Sequence, residues 1–210
     1  MRDPGISDYV TSPSEDLLSD VDRSPASVVP LIEVEQAPLL ARPFYPGEGP
    51  ASPITASLAH VPEVLEVTLP FVGRVLGPTA VDARIKEIVI LRCSALMECR
   101  YCVETHSAIA LDSGLSREEV RALRGERDLD VVFTDEDVLA LIACVEAVAL
   151  GRGAAPEEVT ARARQARGHP ERGERTLVAG ATLMLNRFCS ALGLPTGAAT
   201  LARLADEGLA

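Results

Sequence analysis

The segment TAVDARIKEIVILRCSALM, residues 79–97, is apolar on nearly every side once past Lys86. A helix of that kind cannot lie half in water; it has to be surrounded by other elements. The material available for that surround is unusual. Hydrophobic residues make up 47% of the 210-residue chain, yet aromatic residues supply only 3% and tryptophan is absent. The core must therefore be built from Ala, Leu and Val, which favours close-packed helices over a β-sandwich rich in aromatic and β-branched residues. The length suits one domain, or one domain with an extension.

The rest of the chain supplies helices to place around that centre. HVPEVLEVTLPFVGRVLG predicts a helix entered at Pro62, kinked or interrupted at Pro70 and closed by Gly77-Pro78. CRYCVETHSAIALDSG predicts another, stopped by Gly114, and LSREEVRALRG opens on a capping box from Ser116 to Glu119. In FTDEDVLALIACVEAVALGRG, Thr134 and Asp137 stand in the same capping relation, and Val138, Leu141, Ile142, Val145 and Val148 follow helical spacing. APEEVTARARQARG reads as a polar helix that starts at Pro156. ERTLVAGATLMLNRFCSALG places Leu177, Ala181, Met184, Leu185, Phe188 and Leu192 on one stripe, and TGAATLARLADEG adds a short last helix. With no strand pattern and no repeat, the expected fold is all-α, with roughly seven or eight helices.

Residues 1–53 have a different character. The first 26 are acidic and rich in Ser and Pro, and are expected to be flexible. Residues 27–53 alternate apolar runs with prolines, which predicts an extended arm packed on the domain or on a neighbouring subunit. The division is thus an extension over 1–53 and a helical domain over 54–210.

Charge excludes several partners. The net charge of −11 and the dispersal of 19 arginines and one lysine argue against nucleic acid and against an anionic membrane surface. The N-terminus lacks the apolar stretch of an export signal, and VLALIACVEAVAL is too short to span a bilayer. A cytoplasmic protein is the expectation. Five cysteines in such a setting are reduced, catalytic or metal-bound rather than a disulfide framework. Cys93, Cys144 and Cys189 sit among apolar neighbours and read as small buried hydrophobes.

Cys99 and Cys102 are different, because ECRYCVETHS gives Cys99-x-x-Cys102-x-x-x-His106. On a helix these three residues share one face. At a helix start, unpaired N–H groups and the dipole favour a thiolate, and an i, i+3 pair lies within disulfide range. His106 follows one turn later as a proton acceptor. A redox dithiol, a zinc site and ordinary packing all compete for this pattern. Zinc needs a fourth ligand, and packing does not account for the histidine. Glu87 sharpens the comparison: its carboxylate shares a helix face with Ile90 and Leu91, where it must be paired. Its partner is either a basic group such as Arg84, or His106 in an acid/base pair.

The stretch RIKEIVILRCSALMECRYCVETHSAIALDSGLS resembles the core motif of the alkylhydroperoxidase D-like group within the carboxymuconolactone decarboxylase superfamily. The matching positions are Glu87, Cys99, Cys102, His106, Ala110, Gly114 and Leu115, and LNRFCSALGLP is similar to the group's usual C-terminal segment. The resemblance covers roughly residues 55–196. It implies an alkylhydroperoxidase D-like helical fold in a homo-oligomer, often a trimer, with no metal or organic cofactor. It further implies that Cys102 is the attacking thiolate, that Cys99 is the more accessible resolving thiol, and that Glu87 and His106 relay protons. The best-studied peroxidases of the group carry a histidine where this chain has Tyr101.

The function expected on these grounds is a thiol-dependent peroxidase or disulfide oxidoreductase, taking a hydroperoxide and a thiol or dithiol reductant. The alternatives are a non-redox acid/base enzyme, such as a lactone decarboxylase on the same scaffold, and a redox-sensing adaptor.

Overall fold

The computed structural model describes residues 27–151, 157 and 169–210. Among them are nine α-helices, two 3-10 turns and no strand, as the all-α expectation required. The helices are α1 (Pro53–Leu58), α2 (Pro62–Leu76), α3 (Ala83–Leu96), α4 (Arg100–Asp112), α5 (Arg117–Leu123), α6 (Leu129–Val132), α7 (Glu136–Leu150), α8 (His169–Leu192) and α9 (Ala198–Asp206).

The all-round apolar helix is central. α3 packs against α4, α5, α7 and α8 together, and buries Lys86 through Leu91 without a break, then Cys93 and Ser94. Ile88, Val89, Ile90 and Leu91 form one core with Val120 and Leu123 of α5, Leu141, Ile142 and Val145 of α7, and Val178 of α8. Burying one such side chain contributes about 1.5–3 kcal/mol. Lys86, which interrupts the apolar pattern, is buried for a reason of its own. Its Nζ donates to the carbonyls of Val75 (2.8 Å) and Gly77 (2.7 Å) and pairs with Glu174 (2.9 Å), so one ammonium closes the C-terminal end of α2.

Several elements begin and end where their sequences indicate, and others do not. Ser116 and Glu119 form the capping box of α5, and Gly114, at φ +85°, ends α4 in the left-handed region. α2 runs through Pro70 uninterrupted, at an exposed position, and Glu66, whose carbonyl loses its helical partner, is exposed as well. The cap of α7 is Asp135 rather than Thr134: its Oδ1 accepts from the backbone N–H of Asp137 at 2.8 Å and of Val138 at 3.4 Å. In α8 the buried face is Val178, Ala181, Thr182, Leu185, Asn186 and Cys189, while Leu177 and Met184 are 49% and 46% exposed. The expected stripe is rotated because two polar residues, Thr182 and Asn186, belong to the buried face. The helices α1 and α6 are additional to those expected. The polar helix expected over 155–168, and the flexible stretch 1–26, lie outside the described residues.

Residues 27–52 pack on the domain as an arm built from loops and the 3-10 turns Val34–Gln36 and Arg42–Phe44. Val28 donates to the carbonyl of Leu192 (2.8 Å), Ile32 to that of Ala56 (3.2 Å), and the Tyr45 hydroxyl to that of Ile32 (2.8 Å). Within the arm, Ala37 and Ala41 are buried. No helix among the described residues is long and apolar enough to cross a membrane.

Candidate active site

The site begins at the turn between α3 and α4. Cys99 N–H donates to Ser94 C=O (3.0 Å) and Glu98 N–H to Ala95 C=O (3.1 Å), the paired 6→1 and 5→2 bonds of a Schellman closure. Such a closure needs a left-handed residue between the helices, and Glu98 fills it at φ +53°. Cys99 is thereby placed at the N-cap of α4, and Cys102 in its first turn. Both thiols sit where the helix offers unpaired N–H groups and positive potential.

The Sγ atoms of Cys99 and Cys102 are 2.7 Å apart, and both residues are buried. A third sulfur joins them. Cys189, on the buried face of α8, brings its Sγ within 4.8 Å of both. The three thiols share their protons unequally. Hydrogen bonding from Cys102, then from Cys189, holds the Cys99 thiol far below its ordinary value, at about 2, against the opposing effect of burial. For Cys102 the contact with Cys189 is the largest influence and lowers it, but the Cys99 thiolate and burial outweigh that contact and push it up to about 12. Cys189 is raised as well, by Cys102 first, Cys99 second and burial third. Within the cluster, negative charge is favoured on Cys99 over Cys102 and Cys189.

Glu87 and His106 form a separate pair at 2.9 Å, from Glu87 Oε2 to His106 Nδ1. Arg84, the other possible partner, turns instead to Glu119 and to the carbonyl of Gly114 (3.0 Å). With Nδ1 engaged by the carboxylate, the neutral imidazole presents its lone pair at Nε2. Cys102 and His106 are one helical turn apart on α4, where Cβ atoms lie about 5–6 Å from each other, but among the described residues no hydrogen bond joins His106 to a thiol.

An apolar shell closes around the sulfurs: Leu31 from the arm, Ile54 of α1, Tyr101 of α4, and Phe188, Leu192 and Leu194 from the end of α8. The ring of Tyr101 packs in this shell, and burial above all pushes its hydroxyl up to about 12. On one side the shell opens into a cavity of about 290 Å³ lined by Cys99, Cys189, Tyr101, Arg100, Glu104 and Ser190 among others; Cys102 does not line it. A cavity of about 340 Å³ bounded by Arg84, Glu119, Asp135 and Arg175 contains none of the cysteines, Glu87 or His106.

All four residues singled out in the sequence come together, as two pairs: Cys99 with Cys102, and Glu87 with His106. Two others were missed. Cys189 is buried as expected and also belongs to the thiol cluster. Asn186, on the same face of α8, is buried, donates to Ser94 Oγ (3.0 Å), and its amide opposes the rise of the Cys102 thiol. Both lie in LNRFCSALGLP, the segment noted above for its likeness to the group's C-terminal part, and that likeness was the available signal. Cys93 is buried as expected, and burial pushes its thiol up to about 12, whereas Cys144 is only half-buried. As a metal site the three thiols offer three soft donors, one short of the tetrahedral set that zinc takes. No histidine or carboxylate completes the group among the described residues.

Comparison with known proteins agrees with this architecture. Residues 62–143 match the carboxymuconolactone decarboxylase family, and no curated protein matches the chain. Among solved structures, the alkylhydroperoxidase AhpD core of an uncharacterized peroxidase-related protein from Ralstonia eutropha superposes with a TM-score of 0.72 at 16% identity, covering 84% of this chain and 95% of the other. A protein of unknown function from Agrobacterium tumefaciens, suggested to be the antioxidant defence protein AhpD, gives 0.61 at 21% identity over 67% and 95% of the two chains. A debrominase in its apo form gives 0.59 at 20% identity over 84% and 95%. The matched segment spans α2 to α7 and so contains the Glu87, Cys99, Cys102, His106 constellation, and the surrounding helices are arranged as in these structures. The chain has the alkylhydroperoxidase D-like fold, and its residues 62–143 match the carboxymuconolactone decarboxylase family.

Proposed function

We propose that this protein is a thiol-dependent peroxidase, reducing hydroperoxides through Cys99 and Cys102 at the expense of a thiol or dithiol donor. The observation that carries the reading is the buried Cys99–Cys102 pair, with sulfurs 2.7 Å apart and a thiolate stabilised at a helix start. In the proposed cycle the Cys99 thiolate attacks the terminal oxygen of the hydroperoxide. The O–O bond breaks, the departing alkoxide takes a proton from water and leaves as the alcohol, and Cys99 becomes a sulfenic acid that keeps the hydroperoxide's own hydrogen. Cys102 then attacks that sulfur, water departs, and a disulfide remains for the external reductant. Because the Cys102 thiol is held protonated, it needs a base at that step, and the His106–Glu87 pair one turn away is assigned that task.

This order departs from the one that the resemblance implies, in which Cys102 attacks first. The acidity of Cys99 and its place on the cavity wall favour Cys99. Turnover of hydroperoxide with a dithiol reductant distinguishes the two. On this account Cys99→Ser abolishes sulfenic acid formation, whereas Cys102→Ser still forms it at Cys99. A sulfenic acid on Cys102 in the Cys99→Ser protein would restore the implied order.

A second reading has its own observation. Glu87 and His106 form an acid/base pair that does not depend on the thiols, as a non-redox enzyme on this scaffold would require. Activity on any substrate that survives alkylation of Cys99 and Cys102 would favour that reading.

A further inference from the structure

Cys189 is unused by the scheme above, although it is held in the same cluster. It is 1% exposed, its sulfur lies within 4.8 Å of those of Cys99 and Cys102, and with Cys99 it lines the 290 Å³ cavity that Cys102 does not reach. We propose that Cys189 is a second resolving thiol, which captures oxidised Cys99 as a Cys99–Cys189 disulfide. The inference rests on the peroxidase reading of the Cys99–Cys102 pair.

The step balances without a new reactant. Cys99 sulfenic acid is attacked at sulfur by Cys189. The S–S bond forms, the S–O bond breaks, and hydroxide leaves with the proton that Cys189 gives up, as water. The gap left to close, from within 4.8 Å to about 2.05 Å, is of the size that one change of χ1 rotamer spans. Charge acts in the same direction. Cys189 keeps its proton because of Cys102, Cys99 and burial together. Oxidation turns the Cys99 thiolate into a neutral sulfenic acid, which removes the negative charge that opposes ionisation of Cys189. Cys189 becomes a better nucleophile at the moment its target appears.

The product also suits the cavity. A Cys99–Cys189 disulfide has both sulfurs on residues of the cavity wall, where a small dithiol can attack either one. A Cys99–Cys102 disulfide offers one. Cys189 would thus place the bond to be reduced where the reductant arrives.

The test is disulfide mapping of the full chain after one equivalent of tert-butyl hydroperoxide, followed by alkylation, protease digestion and mass spectrometry. Cys102→Ser is expected to yield a peptide pair cross-linked through Cys99 and Cys189, which dithiothreitol releases. A Cys99 sulfenic acid that persists and is trapped by dimedone, with Cys189 fully alkylated, overturns the inference and leaves the peroxidase reading standing. No oxidation of Cys99 overturns both. Wild-type protein provides a measurement independent of the folding of the variant. It should give both Cys99–Cys102 and Cys99–Cys189 cross-links, and Cys189→Ser only the first. Wild-type protein that gives Cys99–Cys102 alone contradicts the inference.

Discussion

Cys99 sits where the backbone of one helix ends, the N–H groups of the next begin, and two further thiols converge. The start of α4 and the neighbouring thiols favour its thiolate against the effect of burial, so its reactivity should carry an unusual pH signature. The ordinary thiol ionises near 8.5, and its reaction rate rises about tenfold per unit below that value. The Cys99 thiol, lowered to about 2, is already ionised across the neutral range. Stopped-flow rates of sulfenic acid formation should therefore be flat between about pH 5 and 9. A rate climbing tenfold per unit over that span would show that the nucleophile is an ordinary thiol. At this scale the sequence was informative where the geometry is local. Cys102 and His106 are four apart within α4, so helical periodicity put them on one face, whereas Cys99 stands before the helix as its N-cap. Glu87 was found through its apolar neighbours, which left its carboxylate in need of a partner. Cys189 could not be found in this way, because its role depends on α8 packing beside α4, and a single cysteine among apolar residues looks the same whether or not another thiol lies opposite.

Among the elements, the α3–α4 connection is the one built against propensity. Its left-handed residue is Glu98 rather than glycine, although a side chain at that conformation costs about 1–2 kcal/mol. Glycine would remove that cost and lose part of it again through its freer unfolded state. Glu98→Gly is accordingly expected to stabilise the protein by roughly 0.5–1 kcal/mol, read as a rise in Tm of about 1–4 °C. An unchanged or lower Tm would mean that Glu98 carries a compensating interaction. This turn was invisible in the sequence, since the usual signal for a Schellman closure is the glycine that is missing here. Where the signal is present, as in the Ser116–Glu119 capping box or at Gly114, the boundary was legible. The buried face of α8 was misread by one position because Thr182 and Asn186 are polar and a hydrophobic stripe passes over them. Asn186 is inside because it bonds Ser94 on α3 and stands beside Cys102.

In the whole molecule, the all-α architecture followed from two readings: one helix with no polar side, and a core short of aromatic residues. What those readings could not supply is how the arm lies. It places Leu31 against the thiols and is tied to the end of α8 through Val28 and Leu192. Removing residues 1–50, or replacing Leu31 by Ala, is expected to speed alkylation of Cys99 and Cys102 by roughly an order of magnitude, the effect of about 1.4 kcal/mol lost from closure of the site. An unchanged alkylation rate would show that the arm does not guard the site. The homo-oligomer implied by the resemblance stands as a separate proposal, and light scattering of the full-length and arm-deleted proteins would show whether assembly depends on the arm.

The central claim is that Cys99 and Cys102 form a redox couple, and mass spectrometry of the peptide containing both tests it most directly. After hydroperoxide treatment and alkylation, the account predicts an unalkylated peptide lighter than its reduced form by two hydrogens, restored by a dithiol. A peptide alkylated at both cysteines, with and without hydroperoxide, would contradict it.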